Sequence, residues 1–154
     1  MENNKRIYSF EELIPIIKSS IVNHGVFPLS VTGSSMTPTL YGNRDIVHLI
    51  SPDYKAPEKY DIVLFKRTDG RIVLHRIIKK LPENRFLING DSQSWTEEIS
   101  ASQIIAVTKS YNKNGKTISC NTTAYKLKSA LWCSTRKIRP FIFKISSLLK
   151  GRIK

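Results

Sequence analysis

The chain predicts a mainly β fold, a coiled antiparallel sheet forming a partly open barrel, with a helix before it and a basic helical tail after it. Three observations carry this. Between Phe27 and Cys120, short β-branched and aromatic runs alternate with turn clusters and no helical period intervenes, which argues hairpin pairing rather than crossovers. Before Gly25 and after Asn121, apolar residues recur at helical spacing. A length of 154 residues with 40% hydrophobic and 24% charged content suits one domain with a real core and excludes wholesale disorder.

The elements follow in order. Ser9 can cap a first helix, with Glu12 completing a capping box, and Phe10, Leu13, Ile14, Ile17 and Ile21 form one apolar stripe up to about Asn23. Pro15 either kinks this helix or delays its start, and Gly25 ends it. Phe27–Val31, Asp45–Ile50 and Tyr60–Lys66 read as strands. Thr68-Asp69-Gly70 is a hairpin turn returning through Arg71–Ile78, and Arg85–Ile88 precedes a further turn at Asn89-Gly90-Asp91. Ile104–Tyr111 and Lys116–Cys120 flank the turn Asn112–Gly115. After Asn121, Ala124, Leu127, Leu131 and Trp132 can line one helical face. Pro140 then separates this segment from a second candidate helix over Phe141–Lys150. The division expected is a main domain over residues 1–120 and a basic amphipathic tail over 121–154.

The net charge of +13 is uneven. Residues 1–108 carry 13 Lys/Arg against 12 Asp/Glu, whereas residues 109–154 carry 12 Lys/Arg and no acid. Basicity is thus a property of the tail. Cys120 and Cys133 lack the spacing of a zinc site and read as reduced thiols. No His-Glu-x-x-His motif is present and the three histidines are scattered, so neither metal nor cofactor is expected. The first residues do not lead into an apolar run, and no stretch of 18 apolar residues occurs, so neither a signal peptide nor a spanning helix is expected. The placement expected is cytoplasmic, with peripheral membrane association through the tail as an addition.

The chemistry-bearing residues are Ser35 and His75. Gly33 permits a close turn and Pro38 fixes the chain beyond it, so a serine between them can present its hydroxyl while nearby backbone N–H groups face a developing oxyanion. The same residues also suit an ordinary turn. His75 shares a strand face with Val73 and Ile77, where a histidine is either a core residue or a neutral base. Asp91 can orient that histidine, or merely build its own turn.

Five segments resemble the boxes of the type I signal peptidase and repressor-autoprotease superfamily. Gly33-Ser34-Ser35-Met36-Thr37-Pro38-Thr39-Leu40 resembles the nucleophile box, in which the serine before the methionine attacks. Tyr41–Val47, containing Asp45, resembles the glycine-aspartate box, and Tyr60–Phe65, containing Asp61, the strand that follows. His75-Arg76-Ile77-Ile78 resembles the general-base box of the histidine branch, and Ile88–Ser92, containing Gly90 and Asp91, the last box. The resemblance implies the signal-peptidase core fold, with Ser35 as nucleophile, His75 as base and Asp91 as orienter. Gly33 stands where some members carry an oxyanion-binding hydroxyl. That leaves the Ser35 N–H, with Ser34 or Thr32, to bind the oxyanion beside Met36.

The implied activity is a serine endopeptidase cutting a leader, signal or precursor peptide. The alternative is a catalytically weak or inactive peptidase-like scaffold whose tail docks a partner. Phe141, Ile142, Ile145, Leu148 and Leu149 gather on one side of the tail helix, so residues 138–154 could lie on an anionic membrane or pack on the barrel. Nucleic acid is the weaker account of the charge, because no recognition motif accompanies it.

Overall fold

The computed structural model describes residues 10–151, with side chains described over 12–149. Ser9 of the expected capping box lies outside the described residues. Helix α1 (Phe10–His24) runs through Pro15 without interruption and ends at Gly25, whose φ of 73° and N–H bond to the Ile21 carbonyl (2.9 Å) make a left-handed cap.

Eight strands follow: β1 (Phe27–Ser30), β2 (Ile46–Ile50), β3 (Ile62–Lys66), β4 (Ile72–Leu81), β5 (Arg85–Asn89), β6 (Glu97–Ser100), β7 (Ile104–Lys113) and β8 (Lys116–Ser119). They form one curled antiparallel sheet in the order β1-β2-β7-β3-β4-β5-β6, with β8 paired to β7. Strand β7 is the spine: Ile104–Val107 pairs with β3 and Val107–Asn112 with β2. Register shifts at His48/Leu49, Leu64/Phe65 and Ile77/Lys79 raise the local twist that curls the sheet. β6 is the strand that the sequence pattern does not predict; Ile99 is its only buried residue.

Alternation along β3 feeds two cores. Ile62 and Leu64 face a cluster with Ile17 and Ile21 of α1, Met36 and Leu40. Val63 and Phe65 face the other, with Ile77, Phe86, Ile88 and Val107.

The tail packs through polar residues rather than through its leucines. In α2 (Thr123–Ser134), Leu127 and Leu131 are 62% and 63% exposed, while Tyr125 and Ser129 are buried. The reason is the Arg76 guanidinium beneath them, whose Nη1 donates to Tyr125 Oη at 2.8 Å and Ser129 Oγ at 2.9 Å. Helix α3 (Arg139–Gly151) begins with a buried arginine. Arg139 donates to the carbonyls of Gly90 (3.1 Å), Gln93 (2.8 Å) and Trp132 (3.1 Å) and to Asn89 Oδ1. Among the described residues no helix is long and apolar enough to cross a membrane.

Because Arg139 satisfies four acceptors at once, two of them in buried bonds, Arg139→Ala should lower the unfolding free energy by about 2–3 kcal/mol. Urea unfolding followed by circular dichroism checks this, and Arg139→Lys should restore only part of the loss, since an ammonium lacks the planar fork.

Candidate active site

The segment between β1 and β2 is built to hold Ser35 still. Val31, Met36 and Leu40 are buried and anchor it from below. Leu40 N–H bonds to the Met36 carbonyl (2.9 Å), Thr37 N–H to that of Ser34 (3.1 Å), and Asn43 N–H to that of Val31 (2.8 Å). Gly33 has φ +72°, and a Cβ on Gly42 would meet the Gly33 carbonyl oxygen at 2.3 Å, so the two ends of the loop touch backbone to backbone. Buried Asp45 closes it by accepting from Tyr41 N–H (2.9 Å) and Arg44 Nε (2.6 Å); the Arg44 hydrogen bond holds its carboxyl below the usual range. Lys113 of β7 caps the carbonyls of Pro38 (2.6 Å) and Thr39 (2.8 Å), and the Thr37–Pro38 peptide is cis.

The Gly90-Asp91-Ser92 turn grips Ser35 from the other side. Ser92 donates its N–H (2.9 Å) and Oγ (3.0 Å) to the Ser35 carbonyl. A Cβ on Gly90 would lie 2.8 Å from that oxygen, so only glycine permits the approach. Ser35 is half-buried in a cleft of about 220 Å³ shared with Thr32, Leu29, Met36, Val73 and Leu74, whereas Ser34 and Gly33 face outward. A larger cleft of about 640 Å³ opens beyond Pro38 and Thr39, lined by Tyr41, Lys113 and Trp132, and does not include Ser35.

His75 follows Leu74 on β4, opposite Val63 of β3, and is 1% exposed. Its ring lies 6.1 Å from that of Phe65 and 6.3 Å from that of Trp95. Nδ1 is 3.4 Å from Glu97 Oε1, ion-pair range without hydrogen-bond alignment, and among the described residues neither ring nitrogen has a hydrogen-bond partner. Burial lowers its pKa to about 4, against the opposing pull of Glu97, so the imidazole is neutral at pH 7. Glu97 is in turn clamped by Arg67, through Nε at 2.7 Å and through Nη2.

Asp91 is fully buried and turned to Arg76, which reaches it from Nε (2.9 Å) and Nη2 (2.7 Å); Thr39 Oγ1 donates to the same carboxylate. The structure therefore brings Glu97, not Asp91, to the Nδ1 side of His75. It forms no hydrogen bond between Ser35 and His75. Asp61 is also buried, accepting from Glu58 N–H at 2.9 Å and from Lys55, and its carbonyl receives Ile77 N–H at 2.8 Å. His48 lies apart, with Nδ1 3.0 Å from Ser110 Oγ.

Residues 12–87 match the family described as signal peptidase, peptidase S26. The chain is similar to signal peptidases of that family. A curated relative, signal peptidase I V of Bacillus subtilis (strain 168), is 30% identical over 94 residues, 56% of this chain and 56% of the relative. The chain thus spans about half the length of the curated relative it matches. No solved structure matches significantly.

The peptidase S26 match includes Ser35 and His75 and ends before Asp91 and Glu97. Glu97 escapes sequence reading because its strand does. The pairing Ile77–Ile88 between β4 and β5 and Ile88–Glu97 between β5 and β6 puts Glu97 on the face that His75 shares with Ile77. Two ladder registers are needed to see this, and an acidic pair before a single isoleucine supplies neither.

A histidine whose pKa is lowered on folding favours the protonated unfolded chain in acid. Its contribution is complete above the ordinary 6.5 and is lost as pH falls toward about 4. Between these limits, wild-type stability should fall with acid more steeply than that of His75→Asn, measured as urea midpoints. The His75 ring protons should titrate near pH 4 by NMR, and a midpoint near 6.5 would contradict the burial assigned here.

Proposed function

We propose that this chain is a serine endopeptidase acting on a leader, signal or precursor peptide, in the cytoplasm as the sequence suggests. One observation carries the reading. A neutral imidazole, backed by a clamped carboxylate, sits on the strand whose preceding residues Val73 and Leu74 line the cleft that holds Ser35. A serine hydroxyl needs such a base to become a nucleophile at neutral pH.

In the proposed reaction the substrate carbonyl enters the cleft beside Ser35, and its apolar walls at Leu29, Val31 and Leu74 take an aliphatic side chain. Ser35 Oγ attacks while His75 accepts the hydroxyl proton. Glu97, opposite Nδ1, orients the ring and stabilises the imidazolium, the part that the family resemblance gives to Asp91. The oxyanion is held by the Ser35 N–H with help from Thr32 or Ser34. His75 then protonates the leaving amine as the C–N bond breaks, leaving an ester on Ser35. Water, giving a proton to His75, attacks that ester, and His75 returns the proton to Ser35 Oγ as the peptide acid leaves. Attack requires Ser35 Oγ to reach a His75 ring nitrogen, a contact that hydrolases commonly tighten on binding substrate. Asp91 and Arg76 act at one remove, fixing the Gly90–Ser92 turn against the Ser35 carbonyl.

One observation favours a second reading, a peptidase-like binding protein with little turnover: the His75 nitrogens take no hydrogen bond from Ser35. Incubation with a diverse peptide library, with new termini read by mass spectrometry, separates the two. Under the peptidase reading, wild type generates termini that Ser35→Ala does not, at unchanged circular dichroism. Identical termini from both proteins would falsify the assignment of Ser35.

Glu97→Gln should lower kcat by about 10²- to 10⁴-fold, the range of a correctly oriented general base. The rate–pH profile of the variant should change along with the magnitude. An unaltered kcat and profile would return the orienting role to Asp91.

A further inference from the structure

Among the described residues, the two tail helices carry large apolar side chains that nothing covers. Leu127 and Leu131 of α2 and Phe141, Ile145, Leu148 and Leu149 of α3 are each more than half exposed. On α3 these residues recur at i, i+4, i+7 and i+8, one stripe of an amphipathic helix. The stripe cannot roll inward. Arg139 fixes the start of the helix through Asn89, Gly90 and Gln93, and Phe143 packs edge-on against Trp132 with ring centroids 6.4 Å apart. The inner side of α3 is already in use, so its outer side is presented rather than left over.

The surroundings of the stripe select its occupant. Lys128, Lys137 and Lys144 are exposed around it, and residues 109–154 contain no acid. Self-association across this face would set those cations against their own copies with nothing to neutralise them. An anionic lipid surface neutralises them and takes up the apolar side chains in the same contact, each basic residue near the surface adding to the attraction.

We propose that the outer face of α2 and α3 docks in the plane of an anionic lipid bilayer, with Leu131, Phe141, Ile145 and Leu148 entering the headgroup–acyl boundary. The docked helices are tied to the candidate active site. Trp132 Nε1 donates to the Asp91 carbonyl at 3.0 Å, Arg139 to that of Gly90 at 3.1 Å, and Gly90 abuts the Ser35 carbonyl. Docking therefore holds the Ser35 loop at the bilayer surface. The inference stands whether or not Ser35 is catalytic.

The test is co-sedimentation of the full chain with vesicles of phosphatidylcholine alone and of phosphatidylcholine mixed with phosphatidylglycerol. Binding should require the anionic lipid and weaken as salt is raised. The double variant Phe141→Ser, Leu148→Ser should partition about tenfold or more less well. Its urea midpoint should fall only slightly, because both side chains are more than half exposed. Lys128→Glu with Lys144→Glu should abolish the preference for anionic vesicles. Absence of binding to anionic vesicles, or equal binding by wild type and the double variant, would overturn the proposal. So would a dimer in analytical ultracentrifugation that the same double variant dissociates, which would assign the face to a second copy.

Discussion

A single buried guanidinium holds the parts together. Arg76 is 1% exposed, and its donors reach Asp91, Thr39, the Tyr60 carbonyl, Tyr125 and Ser129. Those partners come from the turn after β5, the loop that carries Ser35, the approach to β3, and α2. A buried ion pair adds little net stability over well-packed apolar residues of equal volume, since desolvation offsets most of the attraction. What it supplies is geometry. One planar fork that must satisfy acceptors from four segments fixes their relative positions, and each acceptor would be left unpaired and buried if its segment shifted.

The neighbouring residue works under the opposite constraint. His75 and Arg76 point to opposite faces of β4, as consecutive strand residues must. The Arg76 face is furnished with a carboxylate, hydroxyls and a carbonyl, so the charge persists there. The His75 face is furnished with Phe65, Trp95 and one carboxylate held to Arg67, so the ring stays neutral. A permanently charged anchor and an uncharged proton acceptor can therefore sit side by side without perturbing each other. A slip of one residue in the β3–β4 register would exchange them and leave a cation in the apolar pocket.

This also explains what could be read from the sequence and what could not. Strands with strong alternation between turn clusters were legible, and so was the family resemblance over the segments within residues 12–87, because these are local patterns. What could not be read rests on long-range polar contacts. The spacing of Leu127 and Leu131 does not say which side of α2 faces the sheet; Arg76, some 50 residues earlier, decides it by claiming Tyr125 and Ser129. Nothing in the sequence sets Arg139 apart from the other cations of the tail; it is buried because three carbonyls and the Asn89 side chain converge on it. The contacts of Asp91 could not be read either: the Arg76 guanidinium offers it two aligned donors where an imidazole could offer one. Glu97 is invisible until β5 and β6 are in register.

The tail thus carries two populations of basic residues with different work. Arg139, like Arg76 and Lys113 in the main domain, points inward and is matched by carbonyl and carboxylate oxygens. Lys128, Lys137 and Lys144 point outward beside leucines and a phenylalanine that the fold leaves uncovered. Burying an arginine while exposing those side chains inverts the usual partition between core and surface, and the inversion is costly in water alone. It becomes favourable where the outer medium is itself part apolar and part anionic. There the exposed stripe is buried by the environment, the outer cations find counter-charge, and the inner arginine secures the helix that presents both.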